Sequence, residues 1–276
     1  MFTCKEYRKV ETLEEAWQLN QKKSNLLIGG MLWVKMGHRN VRTVIDLSGL
    51  GLNEIEETEQ EFRIGCMTTL RQLEQHEGLN RYTNGAIRES VCHIVGVQFR
   101  NGATVGGSVF GRFGFSDILT MLLAMDSYVE LYKGGCIPLN EFVNRSRDRD
   151  VLVRVIIRKT PATFAYQSAR NTRTDFPTLA AAVSCYNDTW HISVGARPGR
   201  AMLLTVKEPA LLHERNPETI KPEERFAKYL SEYAAEHISV GTNLRGSAAY
   251  RRQLIKVLVK RACLEADRNQ IRKQNS

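Results

Sequence analysis

Two glycine pairs are the first residues in this sequence with a recognisable chemical use: Ile28-Gly29-Gly30-Met31 and Thr104-Val105-Gly106-Gly107-Ser108. Paired glycines after a strand let the main chain approach a phosphate, whose charge the exposed N–H groups then hold. Taken singly, such a pair is more often only a turn. No G-x-G-x-x-G run is present, and Gly49-Leu50-Gly51 lacks the remaining glycine. No G-x-x-x-x-G-K-S/T loop occurs either. Any dinucleotide site must therefore be built on another architecture. Metal chemistry has less support. Cys4, Cys66, Cys92, Cys136, Cys185 and Cys263 are scattered, with no CxxC pair and no short Cys/His cluster expected. Reduced structural cysteines are the simpler reading, and any iron–sulfur cluster would belong to a partner. His38, His76, His93, His191, His213 and His237 are read as structural or exposed. No Ser-His-Asp order or carboxylate pair points to a hydrolase.

The elements that must position the glycines can be traced along the chain. Thr12-Leu13-Glu14-Glu15 reads as a capping box that starts a helix running to about Lys22. Asn25–Ile28 is a short buried strand stopped by Gly29-Gly30, helix formers resume over Met31–Lys35, and Thr43–Leu47 is a second strand. Helix then strand, twice, predicts a small parallel α/β unit. Further strands are expected at 55–58, 61–65, 128–132 and 151–157, with helices near 69–75 and 86–95. Residues 101–114, rich in glycine, are expected to be an irregular loop. A helix over 117–125 takes Ser116 or Asp117 as N-cap. Beyond Thr160 the pattern changes: strands 179–186 and 190–196 joined by an Asn187-Asp188 turn, a third at 201–206, then helices at 223–237 and 247–266. Two domains are expected: 1–160, with subdomains of about 1–52 and 53–160, and 161–276.

Composition narrows the class. The 276 residues are 42% hydrophobic and 25% charged, which is ordinary for a globular chain. The apolar stretch Ile118–Met125 is far too short for a membrane span, and Met1–Glu6 has no apolar signal-peptide core, so a soluble cytoplasmic protein is expected. The net charge of +9 raises nucleic-acid binding. Against it, the enrichment at Arg245, Arg251, Arg252, Lys256, Lys260, Arg261, Arg268, Arg272 and Lys273 falls on an amphipathic helix with no interleaved aromatics. A docking face for an acidic partner explains the excess as well.

Five segments, in order, resemble the FAD-binding medium subunits of xanthine dehydrogenase-type molybdenum hydroxylases (the CO dehydrogenase medium-subunit type). Leu26–Val34, with its Gly29-Gly30, resembles their A-G-G-x-x-L/I opening. Arg63-Ile64-Gly65-Cys66-Met67-Thr68-Thr69 is similar to R-I-G-A-x-T-T, and Phe99–Gly107 to I-R-N-x-A-T-I-G-G. Ser116-Asp117-Ile118-Leu119 with Leu122–Asp126 resembles S-D-L-x-P-x-L-L-A-L-D-A, and Ser247-Ala248-Ala249-Tyr250-Arg251-Arg252 their S-x-x-Y-R-R helix.

The resemblance implies an α+β chain: a two-part PCMH-type FAD-binding domain, then a small domain of a three-stranded antiparallel sheet packed with helices. FAD would be held by Leu27, Ile28, Gly29, Gly30, Met31, Leu32 and Trp33 of the first loop and by Ala103, Thr104, Gly106, Gly107 and Ser108 of the second. Ser116 and Asp117 fall where the family holds ribityl or ribose hydroxyls; a plain helix cap is the alternative for Asp117. Ile64, Thr68 and Leu152 match positions that wall the flavin, although Leu152 also reads as core. The sequence departs at Ser108, where the family has asparagine, and at Phe115, where it has proline. No basic residue lies between Lys159 and Arg170, where relatives carry a lysine on the first strand of the second domain, and Arg170, Arg173 and Asp175 read as surface ion pairs. The implied function is electron relay. Substrate would be hydroxylated in a molybdopterin-binding large subunit, electrons would cross a 2Fe-2S small subunit, and this chain would pass them through FAD to NAD+ or another acceptor. A stand-alone FAD oxidoreductase and a cofactor-free basic binding module are the alternatives. The first is disfavoured because no substrate domain follows the small second one.

Overall fold

The computed structural model describes residues 1–207 and 222–274. Chain order begins β1 (Thr3–Lys9), α1 (Leu13–Asn20), β2 (Leu26–Ile28), β3 (Asn40–Asp46), β4 (Ile55–Glu57) and β5 (Glu61–Gly65). Helices α2 (Leu70–Gln75), α3 (Glu77–Tyr82), α4 (Ala86–Cys92), α5 (Val97–Gly102), α6 (Val105–Phe110) and α7 (Asp117–Leu123) follow. Then come β6 (Ser127–Leu131), β7 (Gly135–Pro138), α8 (Leu139–Asn144), β8 (Leu152–Arg158), β9 (Thr163–Arg170), β10 (Pro177–Tyr186), β11 (Thr189–Gly195) and β12 (Met202–Lys207). Helices α9 (Pro222–His237) and α10 (Ala248–Gln274) come last. Expected helix Glu223–His237 corresponds to α9. His213 and the side chains of Arg272 and Lys273 lie outside the described residues.

Two compact units divide these elements: Met1–Gln75, Val95–Gly111 and Ser127–Lys159 form the first, and His76–Ile94, Arg112–Asp126 and the chain from Thr160 onward the second. In the first unit, a parallel sheet has the order β1-β3-β2. Strand β1 carries no apolar alternation and is exposed along its whole length, as suits a charged edge strand; that is why periodicity gives no hint of it. Thr12 Oγ1 accepts from the Glu15 N–H at 3.1 Å, as a capping residue should, but the Glu15 carboxylate reaches back to the Glu11 N–H at 3.1 Å. The second sheet of this unit, β4-β5-β8-β6-β7, is antiparallel. On β5 buried Phe62 and Ile64 flank exposed Arg63, as on a half-buried strand, whereas β8 is buried along most of its length, at Leu152, Val153, Val155, Ile156 and Ile157.

Residues 101–114 are not an irregular loop. They contain the end of α5 and all of α6. Each helical glycine costs about 1 kcal/mol relative to alanine, so propensity argues against α6, but tertiary hydrogen bonds outweigh it. A buried ion pair, Arg100 Nε to Glu74 Oε2 at 2.8 Å, ties α5 to α2, giving the arginine of the Phe99–Gly107 segment a structural task.

The second unit is built on an antiparallel sheet of order β12-β11-β10-β9. Three strands were expected; β9 makes a fourth, missed because Ala165, Ser168 and Ala169 dilute the strand signal of Thr163, Phe164 and Tyr166. Asn187 (φ 49°) and Asp188 (φ 54°) make the two-residue turn between β10 and β11 that such left-handed pairs favour. Strand β10 is buried on both faces. Leu179, Ala181 and Val183 pack with α9 and α10 residues such as Leu230, Ile255 and Val259, while Ser184 on the opposite face donates to the carbonyl of Ala124 beyond α7. A Cβ on Gly195 would lie 2.0 Å from Thr120 Oγ1 of α7, so the helix seats directly on the sheet. On α10, Arg252, Lys256 and Arg261 face solvent as expected. Arg251 does not: it is 1% exposed and donates to the carbonyls of Thr178, Ala196, Gly241 and Gly246 and to Asn243 Oδ1. Among the described residues no helix is long and apolar enough to cross a membrane.

Candidate functional site

The site of the first unit starts where β2 stops. Ile28 closes the strand against β3, Gly29-Gly30 turns, and Met31 adopts a left-handed φ of 61°. Both glycines are forced by close approach to the second loop. A Cβ on Gly30 would lie 1.5 Å from the carbonyl oxygen of Gly102, and one on Gly29 2.3 Å from Thr104 Oγ1. Leu32 packs on Gly102, and Trp33 meets Phe99 edge to face at 5.6 Å. Met31 turns its side chain to the small core of Ile28, Val41 and Val44 that also holds Leu26. Among the described residues the main-chain N–H groups of Gly30, Met31 and Leu32 donate to no protein acceptor. Three consecutive half-exposed donors in a turn are the makings of an anion cradle.

The second loop is held from beneath by the Arg63–Thr69 segment. Val105 N–H donates to the Thr68 carbonyl at 2.9 Å, Gly106 N–H to Cys66 at 2.8 Å, and Leu70 N–H to Ala103 at 2.8 Å. Gly106 leaves no room for a side chain, since its Cβ would sit 2.6 Å from the Cys66 carbonyl oxygen. Thr104 caps α6 through Gly107 N–H at 3.2 Å, and its carbonyl accepts from Ser108 Oγ at 3.0 Å. The amides of Val105, Gly106 and Gly107 are thus engaged within the protein, and the open donors are those of the first loop. Ile64, Thr68 and Leu152 are buried beneath the loops, with Thr68 Oγ1 donating to the Glu54 carbonyl at 3.1 Å. Burial pushes the neighbouring Cys66 thiol up to about 12, so it carries no nucleophilic chemistry.

Ser116 and Asp117 belong to the second unit. The cap of α7 is Ser116, whose Oγ accepts from Leu119 N–H at 3.3 Å. Asp117 is instead the hub of a buried cluster: its Oδ1 accepts from the Tyr166 hydroxyl and from Arg170 Nη2, the latter at 2.7 Å. Both charged side chains are about 5–6% exposed, so Arg170 is no surface residue, contrary to the expectation for it. It ends β9 and so supplies a basic residue on the first strand of this sheet. Asp175, expected in a surface ion pair, pairs with Arg245 at 3.0 Å in a partly exposed setting. Burial pushes the Asp117 carboxyl above its usual range against the pull of Arg170, and holds the Tyr166 hydroxyl well above its own. Burial also opposes the charge of Arg170, but the Asp117 carboxylate more than restores it. Tyr166 and Arg170 flank a cleft of about 600 Å³ that Glu89 and His93 line from α4.

Sequence reasoning missed this cluster. The available signal was the four-residue spacing of Tyr166 and Arg170, which places both on one face of a strand. It also missed a short donor cluster: Glu89, Cys92 and His93 bring one ligand atom each within 4.8 Å of one another. The cysteines are therefore not all remote from histidine. Of the other histidines, His76 caps α3 by accepting from Leu79 N–H at 3.1 Å, and His191 stacks on Tyr186 with ring centres 3.9 Å apart.

The fold matches a chain of quinoline 2-oxidoreductase from Pseudomonas putida 86 with a TM-score of 0.80 at 19% identity, covering 98% of this chain and 99% of that one. Residues 2–160 match the FAD binding domain in molybdopterin dehydrogenase, and residues 164–266 the CO dehydrogenase flavoprotein C-terminal domain. The chain belongs to this family of FAD-binding subunits. It is 25% identical to the putative xanthine dehydrogenase FAD-binding subunit XdhB of Escherichia coli K12, covering 96% of this chain and 97% of the relative. It is 24% identical to the uncharacterized protein YgfM of the same strain over 90% and 91% of the two chains.

Proposed function

We propose that this chain is the electron-relay subunit of a three-part enzyme: a molybdopterin-binding large subunit hydroxylates the substrate, a 2Fe-2S small subunit carries the electrons onward, and FAD on this chain passes them to NAD+ or another acceptor. The chain is read as cytoplasmic, with an FAD-binding domain over 1–160 and a C-terminal domain from 161. FAD, when bound, supplies reversible electron chemistry that no side chain offers. The observation that carries the reading is the contact of Gly30 with Gly102, which leaves three donors of the first loop open.

The residues present fit the group. Gly30, Met31 and Leu32 would hold the pyrophosphate through main-chain N–H groups, with Leu27, Ile28, Gly29 and Trp33 shaping the turn. Ala103, Thr104, Gly106, Gly107 and Ser108 form the facing wall, and Ile64, Thr68 and Leu152 support it from below. Asp117 would take a ribityl or ribose hydroxyl on Oδ2, since Tyr166 and Arg170 both donate to Oδ1, and Ser116 fixes the helix that carries it. Arg170 and Tyr166 hold that carboxylate in place. The chain supplies position and electrostatics, and none of its side chains has to transfer a proton.

Affinity purification of the tagged chain from its native host tests the assembly. Co-purification of a molybdenum-containing subunit and an iron–sulfur subunit, with NAD+ reduced in the presence of a hydroxylatable heterocycle, is expected. A flavoprotein that purifies alone and oxidises a substrate unaided would overturn the relay reading.

A further inference from the structure

Outside the glycine loops, Glu89, Cys92 and His93 stand at positions i, i+3 and i+4 of α4 and its C-cap, so one helical face presents a carboxylate, a thiol and an imidazole together. Glu89 Oε1 lies 3.1 Å from His93 Nε2, and Glu89 Oε2 lies 3.8 Å from Cys92 Sγ. Zinc bonds of roughly 2.0 Å to nitrogen and oxygen and 2.3 Å to sulfur put N and O about 3.3 Å apart, and S and O about 3.5 Å apart, in a tetrahedral site. The Glu89 Oε1–His93 Nε2 separation is close to the first value, while Cys92 Sγ lies nearer the other carboxylate oxygen, so a rotation of the Glu89 carboxyl must bring one oxygen to both; one ligand atom from each residue already lies within 4.8 Å of the other two. Glu89 and His93 also line the cleft beside Arg170, so a fourth ligand can enter from solvent.

We propose that Glu89, Cys92 and His93 form a binding site for one zinc-type divalent cation, with its fourth position filled from the cleft. The donor set defines the class of ion. A thiolate with an imidazole favours borderline-soft ions such as Zn²⁺ or Co²⁺ over Mg²⁺ or Ca²⁺, which prefer oxygen ligands alone. None of the three donors belongs to the glycine loops or is among the residues proposed to hold the flavin.

The test uses the full chain as purified with its flavin, freed of metal by a chelator that is then removed, and titrated with Zn²⁺ alone. One Zn²⁺ per chain is expected. Cys92→Ser, His93→Gln and Glu89→Gln should each weaken binding at least about tenfold, because even loss of an outer hydrogen-bond partner of a metal ligand costs that much. The Glu89 side chain is 54% exposed, so its amide variant leaves the fold intact and guards against misfolding as the cause. Co²⁺ should give tetrahedral ligand-field absorption on the red side of the flavin bands. Zn²⁺ should also protect Cys92 from iodoacetamide while the exposed Cys4 and Cys136 are alkylated as before. Absence of stoichiometric binding, binding that survives all three substitutions, or alkylation of Cys92 at the same rate with and without Zn²⁺ would each overturn the proposal.

Discussion

Replacing Gly30 by alanine puts the loop-contact argument to a quantitative test. The added Cβ would lie 1.5 Å from the carbonyl oxygen of Gly102. A carbon and an oxygen in ordinary contact stay about 3.3 Å apart, so the two loops must separate by roughly 1.8 Å. The oxygen is main chain and the position of a Cβ is set by its own backbone, so no rotamer change can absorb the movement. The local overpacking should cost about 1–3 kcal/mol of stability. The functional cost should be larger, because a displacement of about 1 Å at a positioned group is enough for a 10²-fold loss. Flavin-fluorescence titration of the apo chain should therefore show FAD affinity reduced about 10²-fold, with a modest fall in the melting temperature of the apo protein. Gly107→Ala provides the internal scale: its Cβ would meet only Thr104 Oγ1, at 3.1 Å, and most of the affinity should survive. If Gly30→Ala bound FAD as tightly as the wild type, or the two variants were equally impaired, the reasoning from close approach would be refuted.

Other consequences can be checked with the same protein. Asp117→Asn leaves a buried Arg170 without its charge partner and should destabilise the chain by about 3–5 kcal/mol; urea denaturation should show Arg170→Met restoring part of that loss in the double variant. Arg251→Met strips donors from four carbonyls, two of them fully buried, and from Asn243, for a loss of at least about 3 kcal/mol, and Arg251→Lys should recover less than half of it because an ammonium cannot reproduce the fork. His191 is held neutral, its pKa pushed down from 6.5 to about 4 by burial. Its contribution is therefore fully present above pH 6.5 and lost as the pH falls through about 4. His191→Phe should flatten the stability profile across that window in pH-dependent unfolding, and an unchanged slope would sink the assignment.

Much of the architecture is written in local patterns. The capping residue Thr12 and the Asn187-Asp188 turn between two apolar runs act through neighbours in sequence, so capping and turn chemistry identify them. The glycine pairs were visible as candidates, but their reason for being glycine was not. Gly30 is set by Gly102 and Gly106 by Cys66, contacts that only the folded chain displays. Helix α6 was hidden for the same reason, because its stability comes from Thr68 and Cys66 carbonyls and not from its own glycine-rich residues. Edge strand β1 has polar residues on both faces and shows no period at all. Asp117 stood out in the sequence, but its partners Tyr166 and Arg170 lie about fifty residues away, on a strand whose alanines and serine obscured it. Arg251 looked like one more cation on a basic helix until its burial was seen.

The most direct test of the central claim is the absorbance spectrum of the purified chain, followed by heat release and chromatographic identification of its cofactor. A yellow protein that releases FAD at about one per chain, and loses it on Gly30→Ala, is the expected result. A colourless chain that stays empty after incubation with FAD would contradict the account.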